Sequence, residues 1–293
     1  MTPFRPSGET KVFGIFGKPV RHSLSPQMHH AAFEALNLPH VYLPFEIHSD
    51  QLEQAVLSMR VLGLEGINIT IPHKEKVMPY LDAIDPEAEK IGAVNTIKNN
   101  DGRLIGFNTD GRGFVASLRE AGVDPSGRAV VLLGAGGAAK GVAIALLEAG
   151  IAEVHILARR AVAAETLATH LKRISPTSKI TAAAYSPEKE VSLRTECPIL
   201  LINSTPLGMS AKDPLPFSTT QIMPHWVVSD LIYRPYETPL LIAAKKKGAK
   251  IVPGLGMLLH QGALAFEIWT GLSAPIDRMR QVLRDAFSNS KKS

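Results

Sequence analysis

Apolar residues along this chain fall into short β-type runs alternating with longer stretches of helical spacing, and the alternation predicts an α/β fold. Residues 11–16 read as a strand and 17–25 as a loop. Ser25 followed by Pro26 reads as a helix start: the serine can accept from free N–H groups, and the proline is preset for the first helical position. That helix would run to about Asn37. Residues 41–46 predict the next strand, 50–62 an amphipathic helix, and 66–71 a third strand closed by Pro72, which is βαβαβ spacing. Residues 93–98 and 103–107 predict a strand pair around Asn99, Asn100, Asp101 and Gly102, a hairpin-type turn. Asn108, Thr109 and Asp110 then precede a helix ending near Gly122.

The second half opens on VVLLGAGGAAKG, residues 130–141, an apolar run that stops at a glycine cluster and restarts as a helix. Four Val and Leu residues suit a strand buried on both faces. Gly134, Gly136 and Ala139 fit GxGxxA, the dinucleotide-binding fingerprint. The first glycine makes the turn, the second admits a pyrophosphate against the backbone, and the small third residue lets helix pack on strand. The phosphates would sit on free N–H groups at the helix N-terminus. Beyond it, strands are predicted at 154–157, 180–184, 199–202, 227–228 and 250–252, with helices ending near Ile174 and spanning 239–247. Two last helices, 255–270 and 275–287, have no strand between them and are expected to return to the first domain. There is no internal repeat and no low-complexity segment.

At 293 residues the chain is too long for one comfortable core. The expected division is a substrate-binding domain of residues 1–109 completed by 254–293, and a Rossmann-type nucleotide domain of 110–253, with the chemistry in the cleft between them. The one cysteine, Cys197, excludes an internal disulfide and CxxC zinc sites, and no HExxH occurs among ten histidines, so no metal is expected. A reducing cytoplasm suits such a chain, and residues 1–10 carry no export pattern. No segment is expected to span a membrane. The sequence pI near 9.3 invites a nucleic-acid reading, yet the formal charge is only +5 and aromatic residues are 6%. Lys245, Lys246 and Lys247 read as the last turn of a helix stopped by Gly248, and Lys291 and Lys292 as a polar tail, so no nucleic-acid partner is expected. The modest positive balance suits anionic substrates.

The strand after the fingerprint helix decides the cofactor: an acidic residue at its end accepts from a ribose hydroxyl, whereas arginine receives a 2′-phosphate. Here Ala158, Arg159 and Arg160 follow, favouring NADP over NAD, the alternative being a basic surface turn. A nicotinamide enzyme acting on an alcohol needs a group to exchange the hydroxyl proton. Lys74, just past a strand end, can do so, with Asp110 at a second strand end holding its charge. The residues alone favour a solvated lysine for Lys74 and a helix N-cap for Asp110 over that pair. Tyr185 to Lys189, YSPEK, matches the YxxxK of short-chain dehydrogenases, but Pro187 spoils the helix that pattern requires.

GKPVRHSLSP (17–26), NITIPHK (68–74), GAVNT (92–96), FNTDGRG (107–113), GAGGAAKG (134–141), NSTPLGM (203–209) and GLGMLLHQ (254–261), in this order, resemble the shikimate dehydrogenase family over nearly the whole chain beyond the first ten residues. The resemblance implies NADP-dependent interconversion of shikimate and 3-dehydroshikimate in aromatic amino-acid biosynthesis. It implies Lys74 as acid/base with Asp110 as partner, and Ser23 and Ser25 on the substrate carboxylate. Thr70, Asn95, Tyr233 and Gln261 would face the rest of the substrate. Gly134, Ala135, Gly136, Gly137, Ala138, Ala158, Arg159, Arg160, Leu231 and Gly254 would hold NADP.

Fixed hydrogen-bonding groups suit a small anionic triol, because an analogue lacking one hydroxyl leaves a buried partner unpaired. Ser25 is expected also to cap its helix, and Ser23, Thr70 and Asn95 could serve only to close turns. Gln261 interrupts the apolar helix of Leu258, Leu259, Ala263, Leu264 and Phe266, where a buried amide is costly unless a ligand satisfies it. The second nucleotide strand departs from the family's Asn-Arg-Thr turn, and Arg160 is expected to replace the missing downstream charge. A quinate or dual quinate/shikimate dehydrogenase is the alternative enzyme, and an NADP-binding sensor the non-enzymatic one. Oligomeric state is not legible, with a homodimer the candidate assembly.

Overall fold

The computed structural model describes residues 6–187, 191, 197–210 and 212–289. Lys189 of the YSPEK match, residues 1–5 of the N-terminal decapeptide, and Lys291 and Lys292 lie outside the described residues. The chain separates into two compact units, residues 1–109 with 259–293, and residues 110–258.

The first unit opens with β1 (Val12–Gly17), α1 (Ser25–Ala35), β2 (Val41–Glu46), α2 (Leu52–Val61) and β3 (Leu64–Ile69). β4 (Ala83–Ile84), α3 (Pro86–Ile91), β5 (Thr96–Asn100) and β6 (Arg103–Phe107) follow. The strands form one sheet in the order β2-β1-β3-β5-β6-β4. β1, β2 and β3 are parallel, and β5 is antiparallel to both β3 and β6. The β5–β6 turn places Asp101 at φ 51° and Gly102 at φ 89°, the two left-handed positions a tight hairpin turn requires. β3 stops two residues short of the expected end and leaves Ile71 67% exposed. β5 starts at Thr96 rather than at residue 93; Asn95, just before it, still exchanges backbone bonds with both strand neighbours, its N–H donating to the Phe107 carbonyl at 3.0 Å and its carbonyl accepting from the Ile69 N–H at 2.8 Å. β4 and α3 escaped the sequence pattern because each is too short to show a period; α3 is instead set by its Asp85 cap, whose side chain accepts from the Glu87 N–H at 3.0 Å.

The second unit runs α4 (Asp110–Glu120), β7 (Ala129–Leu133), α5 (Gly137–Glu148), β8 (Glu153–Ala158), α6 (Ala161–Ile174), β9 (Lys179–Ala184) and β10 (Ile199–Asn203). It closes with β11 (Val227–Asp230), α7 (Pro239–Lys246) and β12 (Lys250–Val252). Its sheet order is β12-β11-β10-β7-β8-β9, every pairing parallel. That is the doubly wound order of dinucleotide-binding sheets, with the switch point between β7 and β10. Every residue of β7 and β10 is buried, as expected for strands covered on both faces. α4 crosses α5 at close range because Gly111 faces the Gly141 carbonyl, where a Cβ would lie 2.3 Å away.

α8 (Leu255–Thr270) and α9 (Ile276–Asn289) end the chain, and from residue 259 onward they belong to the first unit. Trp269 Nε1 donates to the Ile97 carbonyl at 2.9 Å and Lys98 Nζ to the Ile268 carbonyl at 2.8 Å, tying the end of α8 to β5. Gly262 lets α8 close on α1, since a Cβ there would stand 2.1 Å from Met28 Cε. α9 buries Met279 and Leu283, and its Arg278 reaches Glu34 of α1 at 3.8 Å.

Candidate active site

In the first unit the candidate residues collect at one edge of the sheet, and strand direction explains why. β1, β3 and β6 run the same way and end at Gly17, Ile69 and Phe107, while antiparallel β5 begins there, just after Asn95. The loop edge at the carboxyl ends of parallel strands is where α/β proteins place ligands.

Ser23 lies in the turn after β1, its N–H donating to the Val20 carbonyl at 3.0 Å. Leu24, not Ser25, takes the N-cap position of α1, with no side-chain cap bond. The expected cap by Ser25 is thus corrected: the Ser23 hydroxyl accepts from the Ser25 N–H at 3.2 Å, and Ser25 is the buried first residue of the helix. Thr70 is anchored by its N–H to the Phe16 carbonyl at 2.9 Å, and its side chain fills the space that a Cβ on Gly17 would occupy, 2.2 Å from Thr70 Cγ2. His73, fully buried, donates from Nε2 to the Ile47 carbonyl at 2.8 Å. Lys74 follows, half-buried, its carbonyl accepting from the Val94 N–H at 2.8 Å. The NITIPHK loop is therefore pinned on both sides of the Lys74 backbone.

Asn95 is 2% exposed, and its Oδ1 accepts from the Thr109 N–H and from the Thr96 hydroxyl, both at 2.9 Å. Its Nδ2 donates to Thr109 Oγ1 at 2.9 Å. Asn95 thus fixes the residue immediately before Asp110, the buried first residue of α4, where a carboxylate is favoured by the helix N-terminus. Gln261 is half-buried on α8, so the cost of a wholly buried amide does not arise and that argument for a ligand falls away. Asn68, Tyr42 and Thr109 were missed as contributors. Asn68 carried a signal, a polar residue at an inward position of an apolar strand; Tyr42 carried none.

The second unit shapes its carboxyl-end edge with backbone. Gly134 has φ +102° and its N–H donates to the Leu157 carbonyl at 2.8 Å; a Cβ there would meet Ser204 Oγ at 2.7 Å. Only glycine adopts that φ without strain. Gly136 takes the N-cap of α5 with no side-chain cap, is exposed, and would have nothing within 4 Å of a Cβ. Gly137 and Ala138 begin the helix half-buried, as is Ala135, while Ala139 is buried against the fold. Open space in front of an uncapped helix N-terminus fits a pyrophosphate. β8 ends at buried Ala158, and exposed Arg159 and Arg160 lead into α6 with no carboxylate on either guanidinium among the described residues. That donor set fits the 2′-phosphate of NADP.

Leu231 and Gly254 adjoin each other: a Cβ on Gly254 would be 2.5 Å from the Leu231 carbonyl oxygen. Tyr233 lies half-buried in the same segment after β11. Beneath it, buried Asp230 accepts from Thr238 Oγ1 at 2.7 Å, Asn203 Nδ2 at 3.0 Å and the Ile232 N–H at 3.0 Å. Burial pushes its carboxyl up to about 6, with the three donors working against that rise. Thr238 in turn caps α7, so one carboxylate holds β10, β11 and the 231–238 segment together. Among the described residues no cluster of His, Cys, Asp and Glu could hold a metal, and no helix is long and apolar enough to cross a membrane.

Two family models match the chain: the shikimate dehydrogenase substrate binding domain over residues 15–97, and the shikimate 5'-dehydrogenase C-terminal domain over residues 254–284. A shikimate dehydrogenase (NADP(+)) of Desulforamulus reducens is 47% identical over 95% of this chain and 96% of its own length. A crystal structure of a shikimate dehydrogenase in complex with NADP+ is 38% identical, covering 98% of this chain and 99% of its own, with a TM-score of 0.88. Another, from Thermus thermophilus in complex with NADP(H) and shikimate, is 39% identical over 94% of this chain and 99% of its own, with a TM-score of 0.83. With near-complete coverage at this identity, on the strand order and loop-edge residues described above, the chain belongs to the shikimate dehydrogenase family.

Proposed function

We propose that this protein catalyses the NADP-dependent reversible reduction of 3-dehydroshikimate to shikimate, a step of chorismate and aromatic amino-acid biosynthesis. The observation that carries the reading is 47% identity over 95% of the chain to a shikimate dehydrogenase (NADP(+)), with the seven motifs quoted above in order. NADPH, when bound, supplies a hydride to the carbonyl carbon. Lys74 donates a proton to the carbonyl oxygen as the alcohol forms and takes it back in the reverse direction. Asp110 holds the charge on the lysine, and its fixed backbone, set through Thr109 and Asn95, removes the need to reorganise it during reaction.

Ser23 and Ser25, on the loop and first turn of α1, offer hydroxyls to the substrate carboxylate. Thr70, Asn95, Tyr233 and Gln261 select the ring hydroxyls. Gly134, Ala135, Gly136, Gly137 and Ala138 cradle the pyrophosphate, Ala158, Arg159 and Arg160 the adenosine phosphate, and Leu231 with Gly254 the nicotinamide end. We place the enzyme in the cytoplasm, with a homodimer as the candidate assembly, to be checked by sedimentation.

The test is the initial rate of nicotinamide reduction with shikimate and with quinate, each paired with NADP and with NAD. Turnover mainly with shikimate and NADP is expected. Comparable turnover of quinate would reassign the substrate, and comparable efficiency with NAD would remove the phosphate role of Arg159 and Arg160. Silence of all four pairs in folded protein would overturn the enzyme reading in favour of an NADP-binding sensor.

A further inference from the structure

A line of buried polar side chains runs across the first unit's sheet and ends at the residue before Asp110. The Tyr42 hydroxyl, on β2, donates to Asn68 Oδ1 at 2.7 Å. Asn68 Nδ2, on β3, donates to the Asn95 carbonyl at 3.2 Å and to Thr96 Oγ1 at 3.1 Å. The Thr96 hydroxyl spends its own proton on Asn95 Oδ1 at 2.9 Å, and Asn95 holds the N–H and hydroxyl of Thr109. Tyr42 is wholly buried and Asn68 is 5% exposed.

Proton direction is fixed at each link. A backbone carbonyl only accepts, so Asn68 must turn its Nδ2 to Asn95 and its Oδ1 to Tyr42, which must donate. The Thr109 N–H only donates, so Asn95 turns its Oδ1 to it, and the Thr96 hydroxyl must donate to that same oxygen. That leaves Asn95 Nδ2 for Thr109 Oγ1. The other face of the tyrosine ring serves the second part of the candidate site. His29, one helical turn after Ser25 on α1, stacks on Tyr42 with centroids 4.5 Å apart and planes 10° apart. Burial pushes His29 down to about 3, so the stack stays neutral over the working pH range.

We infer that Tyr42 and Asn68 are positioning residues of the reaction: through Asn95 they set the Thr109–Asp110 junction, and through His29 the same tyrosine ring braces the helix that carries Ser25. The inference rests on the reading under Proposed function. Without the tyrosine hydroxyl, Asn68 Oδ1 loses that donor in a buried place, and the amide that orients Thr96 and Asn95 can shift.

The experiment starts from the full-length parent enzyme with shikimate and NADP, then Tyr42→Phe, which keeps the ring and its stack. Per folded molecule, kcat is expected to fall roughly five- to twentyfold, the scale of one lost buried hydrogen bond, while the KM for NADP stays at the parent value. A double-mutant cycle with Thr109→Val separates positioning from packing: if the line acts as one unit, Tyr42→Phe costs far less in the Thr109→Val background. Asn68→Ala, which removes the acceptor, reproduces the kcat loss and serves if Tyr42→Phe is not recovered folded. A kcat within about twofold of the parent for the recovered variant, or effects that multiply independently in the cycle, overturns the inference. Silence of the parent itself overturns the functional reading and this inference with it.

Discussion

At the loop edge of the first unit, Asn95 spends its side-chain oxygen on Thr109 and Thr96, and Asn68 and Tyr42 hold Asn95 in turn. At the loop edge of the second unit, the site is a glycine at φ +102°, an exposed glycine at a helix N-cap and a third glycine against a backbone carbonyl. Directional selection of a small polyhydroxylated acid needs side chains whose donors and acceptors point one way, and burial is what keeps them pointing. A pyrophosphate needs only N–H groups and room, which backbone supplies once side chains are absent. Under the proposed function, one unit selects by what its side chains offer, and the other by what glycine leaves out.

The largest effect expected from breaking this arrangement is at Lys74. Lys74→Ala should lower kcat by about 10²–10⁴-fold, the range of general acid–base catalysis, with the NADP Kd unchanged; steady-state kinetics with fluorescence titration of the nucleotide checks both. A kcat equal to that of the parent would strip Lys74 of its role.

Gly134→Ala tests the other unit. The new methyl meets Ser204 Oγ at 2.7 Å on a backbone at φ +102°, so about 1–3 kcal/mol of strain is expected together with weaker NADP binding. Shikimate binding to the free enzyme should be untouched, which isothermal titration would show; an unaltered NADP Kd would mean that the turn does not shape the phosphate site.

Replacing Arg159 and Arg160 together by alanine should raise the KM for NADP roughly tenfold or more, as loss of charge-assisted hydrogen bonds does, and leave the KM for NAD alone. Equal changes for the two nucleotides would make the pair a general electrostatic feature.

The smallest effect concerns Asp230. Its folded carboxyl titrates at about 6, above the ordinary 3.8, so between those values the folded chain binds more protons than the unfolded one. Stability should fall as pH rises through that window and level off above it. Asp230→Asn should flatten the slope in denaturant titrations between pH 4 and pH 6; a slope identical to the parent's would assign the titration elsewhere.

The βαβαβ opening and the fingerprint strand and helix were legible because each repeats a period over enough residues to stand out. α3 and β4 were not, because spans of six and two residues are too short for their period to repeat. At the candidate site, Ser23, Ser25, Thr70, Lys74, Asn95 and Asp110 could be named from their motifs. The division of labour between Ser23 and Ser25 could not, since it depends on which residue the turn at Val20 places under the first helical N–H. Gln261 reads as a buried amide because its neighbours are apolar, yet helical geometry leaves it half-exposed.

Sequence alone determined the alternation of strands and helices and the glycine turn, because these follow from local propensity, and it offered Lys74, Asp110, Arg159 and Arg160 as candidates through the family motifs. Tertiary structure decided which polar residues touch. Tyr42, Asn68, Asn95 and Thr109 are scattered over strands and loops, and only the sheet order that sets β3 beside β5 turns them into one line of hydrogen bonds. Hydrogen bonds reach about 3 Å, and no local pattern specifies distances that short between residues so far apart in the chain.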